Sequence, residues 1–145
     1  MKLTAHTDGA SKGNPGPAAI GYTIEKDGVI LEDYHEYIGE ATNNIAEYRA
    51  LLAVMKRLKT LGAKTVAIFS DSELLVQQIT GIYRVKNRGL KPLHAEVMNL
   101  SRKFDAFTIT HIPRCQNSHA DRLANQALKD HKKKQEGKAN NSGLF

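Results

Sequence analysis

Four carboxylates in this chain stand where they could act together: Asp8, Glu47, Asp71 and Asp121. Asp8 follows the alternating run Leu3 to Thr7, and Asp71 directly follows the β-branched run Thr65 to Ser70. Glu47 falls early in one stretch of helical period and Asp121 early in another. Taken singly, each is an ordinary cap or surface charge. Gathered at one edge of one sheet they would repel, and each would be driven toward protonation unless a divalent cation neutralised them. Convergence therefore predicts a metal site. Its ligands would all be oxygens, which favours Mg2+ with Mn2+ as a substitute, and a pair of ions about 4 Å apart is a device for in-line displacement at a phosphodiester. The single cysteine, Cys115, allows neither an internal disulfide nor a thiolate cluster, which points the same way.

These side chains need elements to hold them. Leu3 to Thr7 reads as a strand delivering Asp8 into a turn dense in Gly9, Gly13, Asn14, Pro15, Gly16 and Pro17, where backbone N–H groups suit a ligand carrying oxygens. Ala18 to Lys26 is expected as the second strand, Asp27-Gly28 as a tight turn, and Val29 to Ile38 as the third strand, closed by Gly39. Strands one to three then form an antiparallel meander. From Thr42, a suitable N-cap, Tyr48, Leu51, Leu52, Met55 and Leu58 fall at helical spacing until Gly62. Thr65 to Ser70 is the fourth strand, and open α/β sheets carry their chemistry at the carboxyl end where Asp71 sits. A short helix over Ser72 to Ile79, a basic irregular segment from Tyr83 to Gly89 and a helix from Pro92 follow. A strand over Phe107 to Ile112 and a last helix with Leu123, Ala124, Ala127 and Leu128 on its packed side complete the order. Residues 1–131 read as one domain, and 132–145, KKKQEGKANNSGLF, as a flexible basic tail without periodicity.

A length of 145 residues, 41% hydrophobic and 25% charged, belongs to a single globular domain. Lys and Arg number 21 against 15 Asp and Glu, for a net charge of +6, so the surface attracts polyanions, nucleic acid before membranes. No apolar run approaches the roughly 20 residues that span a bilayer, and the first residues lack the basic-then-apolar pattern of a secretion signal. A cytoplasmic protein without membrane contact is expected. Nothing in the pattern calls for an obligate dimer, and a monomer is expected.

The segments TDGASKGNPGPAAIGY around Asp8, ATNNIAEYRALLAVM around Glu47, IFSDSELLVQQI around Asp71 and HIPRCQNSHADRLANQAL around Asp121 resemble, in order and spacing, the four signature blocks of type 1 ribonuclease H. QQITGIYRVKN resembles the compact branch of that family, which lacks a long basic protrusion. The resemblance covers nearly the whole chain up to about residue 130. It implies the ribonuclease H-like fold, an α/β architecture in which a five-stranded mixed sheet, antiparallel over strands 1–3 and parallel at strands 4–5, carries helices on both faces. It also implies an endoribonuclease that hydrolyses the RNA strand of RNA/DNA hybrids by a two-metal-ion mechanism, leaving 3′-hydroxyl and 5′-phosphate ends. Double-stranded RNA is a further substrate to be tested. By the same carry-over, Asp8 bridges two Mg2+ ions when substrate is bound, Asp121 completes the site that activates water, and Glu47 with Asp71 holds the ion facing the leaving oxygen. Gly9, Ser11, Asn14 and Asn43 match positions facing the 2′-hydroxyls that mark RNA across a shallow minor groove. Thr42 and Asn44 match a pocket for a DNA-strand phosphate, and Tyr83 matches a residue that packs on a deoxyribose.

Two departures from the family pattern stand out. Many members carry a glutamine two residues after the third acid, where this chain has Glu73, an ionised carboxylate that cannot donate a hydrogen bond and repels phosphate. The loop before the last acid is short, and neither His111, Cys115 nor His119 matches the family's mobile histidine. Arg114 and Asn117 are the other residues near enough for that role, which the sequence leaves unassigned. Arg84, Lys86, Arg88 and Lys91 are expected to add salt-sensitive attraction for phosphates. The rival readings are a silent binding module, which has no need of four acids, and a junction resolvase or integrase, which lacks the GNPG turn and the TNN segment.

Overall fold

Two hairpins and two helical crossovers lay the strands of this chain into a single mixed sheet. The computed structural model describes residues 1–142, the last five as backbone. In chain order the elements are β1 (Lys2–Ser11), β2 (Gly16–Lys26), β3 (Val29–Ala41), α1 (Asn43–Thr60), β4 (Thr65–Ser70), α2 (Glu73–Ile79), α3 (Lys91–Ser101), β5 (Ala106–His111), a 3-10 turn (Arg114–Gln116) and α4 (Ser118–Ser142). The five strands lie in the order β3-β2-β1-β4-β5. β1, β2 and β3 pair antiparallel, whereas β4 pairs parallel with both β1 and β5.

Local chemistry explains the main joints. Asp27 and Gly28 take φ values of 52° and 80°, the left-handed pair that a two-residue hairpin loop requires. Thr42 caps α1, its Oγ1 accepting from the Ile45 N–H at 3.2 Å, and Gly62 follows the helix with φ 82°. α1 crosses from β3 to β4 and lays Leu51, Val54, Met55 and Leu58 on Leu3, Ala5, Ile24, Val66 and Ile68. Leu75, Val76 and Ile79 of α2 and Val97 of α3 join the same core. α4 takes the opposite face, where Ala127 and Leu128 pack on Ala19, Ala10 and Tyr37. None of the described helices is long and apolar enough to cross a membrane.

In three places the structure departs from the sequence reading. β1 does not end at Thr7 but runs through Asp8 and Gly9 to Ser11, so the tight turn is confined to 12–15. Gly9 is there for a close contact, described below, and not to bend the chain. Gly39 does not close β3; with φ 84° it lies inside the strand at a register shift opposite Ala18 and Ala19, a bulge after which pairing resumes to Gly16↔Ala41. Third, 132–142, expected as part of a flexible tail, continues α4 as helix. Lysine, glutamine and glutamate are good helix formers, and His131 stacks on Tyr37 of β3 with ring centroids 3.5 Å apart, which holds the helix to the sheet where the tail was expected to begin. The rest of that segment, 143–145, lies outside the described residues.

Candidate active site

β1 and β4 pair from Lys2↔Thr65 to Thr7↔Ser70; there β4 stops and β1 continues. The notch between them is where the acids meet. Asp8 is the next residue of β1, and Asp71 the first beyond β4. Because side chains alternate along a strand, Gly9 faces α1 while Asp8, opposite Gly21 of β2, faces α4. Gly9 lets α1 come very close: a Cβ at that position would stand 2.3 Å from the Ala46 carbonyl carbon and 2.4 Å from the Glu47 nitrogen. The Glu47 carboxylate is thereby brought over the strand, where its Oε1 accepts a hydrogen bond from the Gly9 N–H. On the other face, Gly21 lets α4 settle until a Cβ would lie 2.6 Å from both the Ala120 oxygen and the Ala124 nitrogen. That seating carries Asp121 to the same cleft.

Asp8, Glu47 and Asp71 each offer a carboxylate oxygen, and these oxygens lie within 4.8 Å of one another. Asp121 lines the same cleft, which has a volume of about 390 Å³. Burial first, then the charges of Glu47 and Asp71, push the Asp8 carboxyl up to about 10. Burial likewise pushes Glu47 up to about 7, against the pull of the Gly9 N–H. Alone, Asp8 and Glu47 hold protons that a carboxylate in water would release. A donor set made only of oxygens, crowded and starved of countercharge, fits a hard divalent cation and does not fit a thiophilic one.

Of the other residues singled out in the sequence, Gly9, Ser11 and Asn43 line the cleft. Ser11 Oγ sits 2.8 Å from the Ala41 carbonyl, and Asn14 Oδ1 accepts from the Asn43 N–H at 3.2 Å, tying the β1–β2 turn to the start of α1. Thr42 is the cap of α1, and Asn44 is exposed beside it, outside the cleft lining. Glu73 is exposed in the first turn of α2, also outside that lining. Tyr83, 49% exposed, belongs to a separate groove with Ile82, Arg84, Lys91 and His94.

Histidine does not line the cleft among the described residues. His6 is held by Glu25 at 2.9 Å and stacks on Phe69, and His119 lies 3.4 Å from Asp33. The rim's cations are Lys12 and Arg114, whose Nη2 is 3.6 Å from Asp121 Oδ1. Sequence reasoning passed over Asn125, whose Nδ2 donates to the Asp121 carbonyl at 2.9 Å and reaches its Oδ1 at 3.3 Å; its spacing of one helical turn from Asp121 was the available signal. It named Asn117 only among the residues near enough to stand in for the mobile histidine, and the structure places that side chain in the interior, 1% exposed.

A five-stranded mixed sheet whose parallel strands end in a cleft lined by four acids defines the class, an α/β domain whose all-oxygen cluster suits a divalent cation. Residues 6–127 match the family model described as reverse transcriptase-like. Over 130 residues the chain is 41% identical to ribonuclease HI of Halobacterium salinarum, covering 89% of this chain and 65% of that protein. A bifunctional protein of Mycobacterium tuberculosis is 39% identical over 88% of this chain, which spans 36% of its length. Among solved structures, LC11 ribonuclease H1 in complex with an RNA/DNA hybrid superimposes with a TM-score of 0.85 at 38% identity, covering 89% of this chain and 98% of that one. The chain belongs to the type 1 ribonuclease H family.

Proposed function

We propose that this chain is an endoribonuclease that hydrolyses the RNA strand of RNA/DNA hybrids, working as a cytoplasmic monomer with two Mg2+ ions per site when substrate is bound and Mn2+ as a substitute. The observation that carries this reading is the meeting of three carboxylate oxygens within 4.8 Å, with Asp121 beside them. Asp8, Glu47, Asp71 and Asp121 are the residues that would hold the cations. Bound there, the cations would offset phosphate charge and lower the pKa of the attacking water. In the reaction, water oxygen bonds to phosphorus as the P–O3′ bond breaks, and the departing oxygen takes up a proton, giving 3′-hydroxyl and 5′-phosphate ends.

Substrate choice falls to the rim. Ser11, Asn14 and Asn43 present hydroxyl and amide groups that both donate and accept, as the 2′-hydroxyl of the RNA strand demands. Thr42 and Asn44 at the start of α1 serve a phosphate of the DNA strand, and the groove around Tyr83 serves its sugars. The exposed carboxylate of Glu73 repels phosphate and leaves contact there weak. That a relative 38% identical is crystallised on such a hybrid supports the substrate class.

Labelled RNA/DNA hybrid, RNA duplex, DNA duplex and a four-way junction, each with Mg2+, Mn2+ or chelator, form the test. Cutting of the hybrid in Mg2+, its loss in chelator, and a fall in kcat/KM with rising salt are expected. An intact hybrid in both metals, or preference for the junction, would overturn the reading. Arg114→Ala has its own expected outcome. A guanidinium exposed at the rim 3.6 Å from Asp121 can turn to a phosphate through a charge-assisted bond. Its removal lowers kcat/KM by about 10- to 100-fold in steady-state kinetics, with partial recovery in Arg114→Lys.

A further inference from the structure

Asn117 precedes α4 and caps it with its backbone, its carbonyl accepting from the Asp121 N–H at 3.1 Å. An ordinary asparagine cap turns its side-chain oxygen back onto the first helical N–H groups. This one does not: its Oδ1 has no partner among the described residues. The side chain, 1% exposed, instead points its amide nitrogen into the sheet, donating to the Thr7 carbonyl at 2.8 Å and to Asp71 Oδ2 at 3.3 Å. An acceptor left unmatched in the interior is unfavourable, so the two donor contacts are what fix the amide's orientation. Thr7 is the residue before Asp8 and the last of β1 to pair with β4. One planar group thus joins the strand bearing Asp8, the carboxylate of Asp71 and the helical turn bearing Asp121.

We propose that Asn117 is the positioning residue of the carboxylate cluster, its buried amide holding Asp71 against β1 and setting the turn of α4 that presents Asp121. This rests on the nuclease reading of the site. Donation to one oxygen of Asp71 restricts its rotamer, and the bond to Thr7 prevents the start of α4 from drifting away from the notch. Groups that orient metal-holding side chains in this way typically change metal affinity or activity when removed, although they touch neither metal nor substrate.

Three variants test it: Asn117→Ala, which removes the amide; Asn117→Asp, which keeps its shape but turns an oxygen toward Thr7 O and Asp71 Oδ2; and Val97→Ala, which loosens α3 in the core away from the cleft. Mn2+ is titrated calorimetrically into each protein without nucleic acid, urea midpoints are recorded, and hybrid cleavage is followed at saturating and limiting substrate. Both Asn117 variants are expected to bind Mn2+ about 10- to 100-fold more weakly and to lose kcat, while KM for hybrid stays within about twofold. Val97→Ala should lower the urea midpoint and leave Mn2+ affinity unchanged. Should Asn117→Ala fold too weakly to titrate, the isosteric Asn117→Asp carries the comparison. Parental Mn2+ affinity in either Asn117 variant, or an equal loss in Val97→Ala, would overturn the proposal. A parent protein that takes up no Mn2+ would bring down the nuclease reading and this inference with it, a result distinct from the former.

Discussion

Asp8→Asn abolishes cleavage and makes the metal-free protein more stable at neutral pH. The loss follows from the cluster: an amide in place of the central carboxylate removes the charge about which Glu47, Asp71 and Asp121 gather, and with it several kcal/mol of cation-dependent stabilisation, about a 10³-fold or greater fall in kcat. Rim groups such as Ser11 and Asn43 are untouched, so hybrid binding is retained. The gain in stability follows from proton linkage. Folding raises the Asp8 pKa from 3.8 to about 10 and that of Glu47 from 4.5 to about 7, so across those windows the native state holds protons the unfolded chain has released. Stability is therefore fullest below pH 3.8 and is lost as pH rises toward the folded values. Asparagine does not titrate, and its amide donates where two acids had to share a proton. The variant should exceed the parent by about 1–3 kcal/mol at pH 7 in chelator, and the difference should vanish near pH 4. Adding Mg2+ or Mn2+ narrows the gap from the parent's side, since the cation stabilises the form that binds it. Melting curves from pH 4 to 9, with and without cation, check both signs; a variant no more stable than the parent at pH 7 in chelator would mean that the acids do not strain the free protein.

Much of the scaffold behind these effects was legible because it is local. The helical spacing from Tyr48 to Leu58, with Thr42 before it and Gly62 after, located α1 to within a residue, and Asp27-Gly28 marked the hairpin. The identity of the four acids came from the signature blocks, since nothing in their own neighbourhoods says that residues more than 100 positions apart will meet. What stayed hidden depends on distance in the fold. Gly9 and Gly39 both look like strand ends, yet one admits a helix backbone and the other forms a bulge, and a single strand's pattern shows neither. Asn117 reads only as a loop residue near the last acid; it caps α4 through its backbone, and only the positions of Thr7 and Asp71 reveal where its side chain goes. The lysines after His131 read as a tail because helix propensity without an apolar stripe gives no periodic signal.

Gly9→Ala should be the most damaging single methyl in the protein. The added carbon would meet the Ala46 carbonyl carbon at 2.3 Å, the Glu47 nitrogen at 2.4 Å and the Ala46 oxygen at 2.5 Å, all of them backbone, so no side chain can swing aside. α1 has to move back by about 1 Å, which opens the core it forms with β1 and pulls Glu47 from the Gly9 N–H. Destabilisation of about 3 kcal/mol or more and a fall in kcat of about 10²-fold or more are expected, with weakened Mn2+ uptake because Glu47 leaves the group of three close oxygens. Gly21→Ala makes the informative contrast. Its methyl would meet the Ala120 oxygen and the Ala124 nitrogen at 2.6 Å and the Leu123 Cβ at 2.8 Å, displacing α4 and Asp121 while leaving Asp8, Glu47 and Asp71 together. That variant should lose activity and, because moving α4 also disturbs the Asn117 amide on Asp71, lose some Mn2+ affinity, but less than Gly9→Ala. Calorimetric titration of both proteins separates the two helices' contributions: equal Mn2+ binding by Gly9→Ala and the parent would show that Glu47 does not hold the cation, whatever happens to the rate.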